Sequence, residues 1–106
     1  MTQHKIFKYI IPVQDKVVLE LPMNSELLSI KEQHDKLVLY VEHYAKPEPD
    51  NVLVRYTLRI VGTGHPYSFN RALYKFWDTV KTHDGQLMWH IFVRSTWQSL
   101  DDPEDE

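Results

Sequence analysis

The segment Gly62-Thr63-Gly64-His65 has residue types that could support chemistry. Successive backbone N–H groups in a glycine turn can bind an anion, a threonine adds a hydroxyl, and a histidine can act as a cation or a general base. The segment lacks the lysine and the following helix of a phosphate-binding loop, and it lacks the spacing of a dinucleotide fingerprint. The competing interpretation is a tight turn, in which the glycines supply positive φ and Pro66 fixes the exit direction.

Two arginines on the run before this turn extend the candidate ligand site. Arg55 and Arg59 alternate with Thr57 on one face of residues 52–61. Because a guanidinium binds phosphate or carboxylate through paired N–H groups, the arginines and the turn amides together could receive a small anionic nucleotide. The predicted ligand-binding residues are Arg55, Arg59, Gly62, Thr63, Gly64 and His65. A solvated polar face is the alternative.

The remaining residues give little support for a metal site or for catalysis. The chain has six histidines and no cysteine, without His-x-His or His-Glu-x-x-His spacing, so we predict no metal site. Hydrolase signatures such as Gly-x-Ser-x-Gly are absent from the sequence, and the side chains of a small β-barrel fill its interior. We therefore predict a protein that is not an enzyme and has no cofactor.

Length and composition are those of one soluble globular domain. The 106 residues are 42% hydrophobic and 25% charged, which is close to the average for such proteins. No run reaches the ~20 apolar residues of a membrane span, and the first residues lack a signal-peptide pattern. The absence of cysteine fits a cytosolic protein. Lysines and arginines are scattered along a chain of net charge −3, so nucleic acid is not expected as a direct partner.

Alternation of apolar and polar residues predicts seven β-strands. They span residues 6–13, 16–21, 27–33, 37–44, 52–61, 74–82 and 86–94. The fourth strand is apolar on both faces, which is typical of a central strand. We predict an all-β fold, in which mainly antiparallel strands form a small sandwich or a partly closed barrel. This domain covers residues 1–95, and the acidic segment 96–106 is predicted to be a flexible tail.

The segment 68–82 fits two structures. Its apolar residues have helical spacing behind a candidate N-cap at Ser68; they are Phe69, Leu73, Phe76, Trp77 and Val80. Residues 76–80 are also rich in β-favouring residues. Asp84-Gly85 indicates a type I′ hairpin, which needs a strand on both sides. We therefore predict a short helical turn near 68–72 followed by a strand.

Aromatic and basic residues outside the expected core predict an interaction surface. If Trp89, Ile91 and Val93 point inward, the intervening residues form an outward stripe beside Arg94. Exposed apolar surface rimmed by Arg, His and Tyr is typical of a partner interface. The predicted interface residues are Tyr40, Tyr44, Trp77, Met88, His90, Phe92, Arg94 and Trp97. The alternative is that these side chains lie beneath the segment 68–72 or the tail.

Five short motifs occur in a fixed order between residues 5 and 93. They are Lys8-Tyr9-x-x-Pro12-x-Gln14-Asp15, Leu19-x-Leu21-Pro22, Leu27-Leu28-Ser29-Ile30, Gly62-Thr63-Gly64-His65-Pro66 and Gly85-x-Leu87-x-Trp89-His90-Ile91-Phe92. Together they resemble a family of small uncharacterised proteins encoded by tailed bacteriophages and prophages. Family members usually carry a glycine where this chain has Asp78, so a glycine-dependent bulge there is an open question. The resemblance implies a phage origin and the host-cell cytoplasm, and it brings no established activity, cofactor or catalytic residues.

Three functional hypotheses follow from these observations. The all-β body, the aromatic residues, the acidic tail and the absence of catalytic signatures favour a non-enzymatic phage protein. Such a protein would bind a host protein or an anti-phage defence protein, such as a CRISPR component, through an exposed β-face and could form a homodimer. The alternatives are a protein that sequesters a small anionic nucleotide and an accessory virion protein.

Overall fold

The protein is a β-sandwich of two antiparallel sheets. The computed structural model describes residues 4–44 and 53–97, without the side chains of Tyr44 and Trp97. Its strands are β1 (His4–Ile11), β2 (Lys16–Pro22), β3 (Glu26–Gln33), β4 (Lys36–Tyr44), β5 (Leu53–Gly62), β6 (Lys75–Thr82) and β7 (Leu87–Trp97). A three-stranded sheet has the order β1-β4-β3, and a four-stranded sheet has the order β2-β5-β7-β6. The predicted all-β antiparallel fold is confirmed as a sandwich.

The main core lies between the two sheets and is built from alternate residues of each strand. Leu37, Leu39 and Val41 of β4 point into it and are fully buried. They meet Leu58 of β5 and Ile91 of β7, which are also fully buried. Burying one such side chain stabilises the fold by roughly 1.5–3 kcal/mol relative to leaving it exposed. The predicted central position of the fourth strand is confirmed, because β4 lies between β1 and β3.

The segment 68–82 forms a short helical turn and then a strand. A 3₁₀ turn spans Arg71–Leu73, later in the chain than the helical turn predicted near 68–72. Its N-cap is Asn70, whose side-chain oxygen accepts a hydrogen bond from the N–H of Ala72 at 3.1 Å, so Ser68 is not the cap. Residues 75–82 pair with β7 as the hairpin signal predicted, and the long amphipathic helix does not form.

The pairing of β6 with β7 contains one irregularity. The register shifts between Phe76 and Asp78, so Trp77 is an extra residue that packs against the main core. Neither Trp77 nor Asp78 has a positive φ, and the Asp78 carboxylate accepts the N–H of Thr79 at 2.8 Å. A bulge of this kind tolerates a side chain, so the aspartate at position 78 is compatible with it.

Residues with positive φ form the turns of two hairpins. His34 and Asp35 connect β3 to β4, and residues 83–85, which connect β6 to β7, all have positive φ. In the second turn the N–H of Gly85 donates to the carbonyl of Thr82 at 3.1 Å, so its centre is one residue earlier than the predicted Asp84-Gly85 pair. The Asp35 carboxylate accepts the N–H of His83 at 2.8 Å, which joins the two turns across the sandwich.

Two strands, β1 and β7, differ from the sequence prediction by two residues or more at an end. β1 begins at His4 and ends at Ile11, two residues earlier at each end than predicted. β7 continues to Trp97, three residues past the predicted end, because it pairs with β5 as far as Val54. Residues 96 and 97 of the predicted tail are therefore part of the sheet, and residues 98–106 lie outside the described part of the chain.

Candidate functional site

The outer face of the four-stranded sheet carries every arginine of the chain. Leu58 and Ile60 of β5 point into the core, so Arg55 and Arg59 project from the opposite face. Arg94 projects from the same face of β7, and Arg71 of the 3₁₀ turn lies over this face. We call this surface the arginine face; it consists of Arg55, Arg59, Arg71, Arg94, Phe69, Tyr74, Phe76 and Phe92.

A second apolar cluster lies beneath the arginines. Phe69, Tyr74 and Phe92 are buried together, and Phe92 is only 8% exposed. The ring centroid of Phe69 is 4.9 Å from that of Tyr74 and 5.4 Å from that of Phe92. The loop between β5 and β6 is thus folded back onto the sheet. Phe92, a predicted interface residue, lies beneath this loop.

Two arginines pack on the rings of this cluster. The guanidinium carbon of Arg59 is 5.4 Å from the Phe69 centroid and 5.5 Å from that of Tyr74, and its Nε donates to the Tyr74 hydroxyl at 3.1 Å. The guanidinium carbon of Arg71 is 4.7 Å from the Phe92 centroid, and its Nη1 donates to the Tyr74 carbonyl at 2.6 Å. Cation–π contacts contribute about 0.5–1 kcal/mol each at exposed sites. The rings therefore hold the two charges in defined positions.

Arg55 lies at the other end of the arginine face. Its Nη2 is 3.4 Å from a carboxylate oxygen of Glu20, and its Nε is buried without a hydrogen-bond partner among the described residues. A buried donor without a partner costs about 1–3 kcal/mol. Arg94 is paired in register with Thr57, between Arg55 and Arg59 along the neighbouring strand. The fold thus brings the three strand arginines together.

Two aromatic rings are exposed beside these cations. Phe76 is 46% exposed and its ring centroid is 5.5 Å from that of Phe92. Tyr67 is 49% exposed and stacks on Phe69, with a centroid distance of 4.7 Å and an interplanar angle of 24°. The surface therefore presents rigid apolar rings between guanidinium groups.

A cleft of about 320 Å³ lies at one end of the arginine face. Its walls come from the β1–β2 loop, the end of β5 and the loop that follows β5, with Trp89 of β7 also contributing. The cleft brings together three of the six predicted ligand residues, which are Arg59, Gly62 and His65. Arg55, Thr63 and Gly64 do not line it.

Gly62 and Gly64 have different structural roles. A Cβ at Gly62 would lie 2.7 Å from Nδ1 of His65 and 3.3 Å from Cζ3 of Trp89, so the glycine allows His65 to pack against the backbone. The N–H of His65 also donates to the Gly62 carbonyl at 3.0 Å. Gly64 has a φ of +86° and supplies the left-handed residue of the turn. The glycine segment thus forms a tight turn and also leaves room for the His65 ring.

The other predicted residues are dispersed over the molecule. Thr63 Oγ1 is 2.6 Å from Nε2 of His90, whose Nδ1 is 3.0 Å from Oγ1 of Thr79. Met88 lies, like His90, on the outer face of the four-stranded sheet and is partly exposed, whereas Trp77 packs against the main core. Tyr40 is half-buried on the three-stranded sheet. The side chains of Tyr44 and Trp97 lie outside the part of the protein that the structure describes.

Sequence reasoning did not identify several residues that complete these surfaces. Arg71, Tyr67 and Phe76 belong to the arginine face or its rim, and Asp15 and Gln14 line the cleft. The sequence did contain a signal for Phe76, because neighbouring residues of a strand point to opposite faces and Phe76 precedes Trp77 on a predicted strand. None was present for Asp15, which reaches the end of β5 through a backbone hydrogen bond from Ile60 N to its carbonyl at 3.2 Å.

A partly buried network of hydrogen bonds at the opposite end of the sandwich was also missed. His43 Nε2 is 2.8 Å from the Tyr9 hydroxyl, and Nδ1 is 2.7 Å from Oγ of Ser25, which donates to the Pro22 carbonyl at 2.6 Å. Because a carbonyl can only accept, the Ser25 proton points to Pro22; Nδ1–H therefore donates to Ser25, and Tyr9 donates to Nε2. His43 in this arrangement cannot act as the base that activates Ser25.

Burial shifts the titration of the groups around this network. Burial lowers the pKa of His43 and raises the pKa of Tyr9, because both charged forms lose hydration. Burial also raises the pKa of Tyr56, whose hydroxyl donates to the Ser25 carbonyl at 3.4 Å. Each of these shifts favours the neutral form of the group. These hydrogen bonds therefore form a neutral structural network that connects β1 and β4 to the β2–β3 turn.

Comparisons with known proteins identify a family and no function. Within the described residues, no three His, Asp or Glu side chains are grouped so that they could hold a metal ion. In the same part of the chain, no helix has the length and apolar character needed to cross a membrane. Neither the curated proteins nor the solved structures give a match. The family model described as "Domain of unknown function (DUF7352)" matches residues 2–100, and the chain therefore belongs to the DUF7352 family.

Proposed function

We propose that this protein is a non-enzymatic interaction protein, which binds an acidic surface of a partner protein through the arginine face. The observation that carries the proposal is that all four arginines of the chain meet on one face of one sheet. Arginine and large aromatic residues dominate the binding energy of protein interfaces, and here they alternate across the surface. Exposed rings at Phe76 and Tyr67 supply the apolar contacts that such an interface needs.

The charge of the four-stranded sheet supports an acidic partner. Its strands carry six cations, Lys16, Arg55, Arg59, Lys75, Lys81 and Arg94, against two carboxylates, Glu20 and Asp78. Arg71 adds a further cation above the sheet. Complementary charge steers the encounter of two proteins and selects against partners of the wrong sign.

Two of the four arginine side chains are held in place by contacts within the protein. Arg59 and Arg71 are held by ring contacts and by hydrogen bonds to the hydroxyl and carbonyl of Tyr74. Immobilising a long side chain at an interface costs about 0.5–1.5 kcal/mol, and prior packing reduces that cost. Binding through these arginines therefore costs less conformational entropy than binding through a face of freely rotating lysines.

A protein partner is favoured over nucleic acid. The chain has a net charge of −3, with five carboxylates between residues 101 and 106, so its long-range field opposes approach to a polyanion. Affinity for nucleic acid depends mainly on the number of neutralised phosphates. A small cationic surface with two exposed rings is better matched to an acidic patch on a protein.

The sequence resemblance gives this proposal its biological setting. If that resemblance holds, the protein would act in a phage-infected bacterial cell, where the partner would be a host protein or a component of anti-phage defence. Binding by the arginine face would then block the acidic surface that the partner uses for its own interactions.

Site-specific photo-cross-linking tests the proposal. A photoreactive phenylalanine analogue is placed at Phe76 on the arginine face or, as the matched control, at Ile6, which is 63% exposed on the three-stranded sheet. After irradiation in a bacterial lysate, we expect a protein adduct from the first position alone, and we expect Arg71→Ala to reduce it. Equal adducts from both positions, or an adduct with nucleic acid, would contradict the proposal.

A further inference from the structure

The cleft beside His65 differs in its chemistry from the arginine face. It shares Arg59 and Phe69 with the arginine face, but its other walls come from the β1–β2 loop and the loop that follows β5. Its polar lining is mixed in charge, whereas the strands beneath the arginine face are mainly cationic. The two surfaces therefore select different chemistry.

The polar side chains of the cleft match a ligand that has both an anionic group and N–H donors. Arg59 supplies a guanidinium for an anion, and His65 adds an imidazole. Asp15 supplies a carboxylate that accepts N–H groups, and the Gln14 amide can donate and accept. A simple anion would leave the Asp15 carboxylate without a favourable contact. The mixture favours a molecule that carries both kinds of group.

The apolar lining matches a planar ring. Tyr67 and Trp89 border the cleft, and Tyr67 is 49% exposed although its ring contacts Phe69 and Phe92. Stacking on an aromatic side chain contributes about 1–3 kcal/mol per nucleobase. The volume of about 320 Å³ is at the lower end of the ligand-pocket range, which fits a ligand of the size of one nucleotide.

We propose that the cleft binds a nucleoside monophosphate. Its phosphate would meet Arg59 and His65, its base would stack on Tyr67, and the exocyclic amino group of the base would donate to Asp15. This site differs from the one that sequence alone predicts, because Asp15 and Tyr67 take the places of Arg55, Thr63 and Gly64. It does not depend on the partner protein proposed for the arginine face.

The floor of the cleft is built around Gly62. A methyl group there would displace the His65 ring, whose Nδ1 would lie 2.7 Å from it. Arg59 is oriented by the hydrogen bond from its Nε to Tyr74. A single methyl at Gly62 therefore disturbs the cleft and leaves the arginines in place.

Isothermal titration with a panel of small molecules tests the site. The panel contains the four ribonucleoside monophosphates, adenosine and inorganic phosphate. We expect saturable binding of a purine or cytosine monophosphate, at least about tenfold tighter than adenosine or phosphate, because base and phosphate contacts add in one ligand. Phosphate binding as tightly as the nucleotide, or no nucleotide binding, would overturn the proposal.

Matched variants locate the binding. Gly62→Ala and Asp15→Ala are each expected to weaken nucleotide binding by about tenfold or more, a loss typical of one displaced or unpaired polar contact. Arg94→Ala lies outside the cleft and should bind the nucleotide like the parent, and circular dichroism verifies that each variant is folded. Unchanged binding by both cleft variants would overturn the assignment. Because Gly62→Ala should retain the Phe76 cross-link, failure of the cleft is distinguishable from failure of the arginine face.

Discussion

The outer faces of the two sheets follow the same alternation of residues and have different surfaces. On the three-stranded sheet Ile6 is 63% exposed and Ile10 is 59% exposed, and the strands carry four lysines against three glutamates. On the four-stranded sheet the loop after β5 covers Phe92, and arginines pack on the covering rings. Among the described residues, the large apolar side chains with the highest exposed fractions thus lie on the first face. Cations packed between rings distinguish the second face, and we therefore propose it as the binding surface.

The largest expected effect comes from removing the ring on which the arginine face rests. Phe92→Ala should lower the free energy of unfolding by about 3 kcal/mol or more, because it opens a cavity under the loop. Ile10→Ala, on the three-stranded sheet, should change it by less than about 1 kcal/mol, because the side chain is mostly exposed. Urea unfolding measures both values. Equal losses would show that the loop does not form a second core.

A smaller effect is expected from pH, and it concerns the end of the sandwich away from the cleft. Burial lowers the pKa of His43 below its ordinary value of 6.5, so below that pH the unfolded chain binds a proton that the folded chain resists. Stability is therefore fully present above about pH 6.5 and falls as the pH decreases towards the lowered pKa.

Urea unfolding between pH 5 and 8 measures this dependence. The parent should lose stability on acidification, and His43→Gln should lose less over the same range, since it has no imidazole to protonate. Stability that increases as the pH falls through 6.5 would contradict the buried neutral state of His43.

The smallest effect is expected at Arg55. Its Nη2 contact with Glu20 is long, at 3.4 Å, and both side chains are partly exposed, so the ion pair contributes no more than about 1 kcal/mol. Arg55→Met also removes the buried Nε that has no partner among the described residues. We expect a change in unfolding free energy within about 1 kcal/mol by urea titration. A larger loss would mean that Arg55 supports the sheet more than its contacts show.

The periodicity of the sequence predicted most of the fold because strand patterning depends on neighbouring residues. Alternation in residues 52–61 correctly placed Arg55 and Arg59 on one face, and the hairpin signal at Asp84-Gly85 identified a strand before it. The precise turn could not be predicted, because His83 and Asp84 adopt positive φ that their residue types do not demand. Pairing along β7 outweighed the helical spacing of residues 69–80.

The candidate sites were predictable only in part, because they depend on contacts between distant segments. Arg94 joins Arg55 and Arg59 only because β7 pairs with β5, and Arg71 joins them only because its loop folds onto Phe92. Asp15 enters the cleft because β2 pairs with β5. Neither the strand order nor the covering of a face can be read from the alternation of residues in one strand.

Two double variants compare the faces most directly. The partner identified by cross-linking at Phe76 is titrated with the parent, with Arg71→Ala/Arg94→Ala on the arginine face, and with Lys8→Ala/Lys31→Ala on the three-stranded sheet; each double variant removes two positive charges. We predict that the arginine pair weakens binding by about 30-fold or more, as expected for interface hot spots, while the lysine pair changes it by less than about threefold. Equal losses from both pairs would show that net charge, and not the arginine face, determines binding.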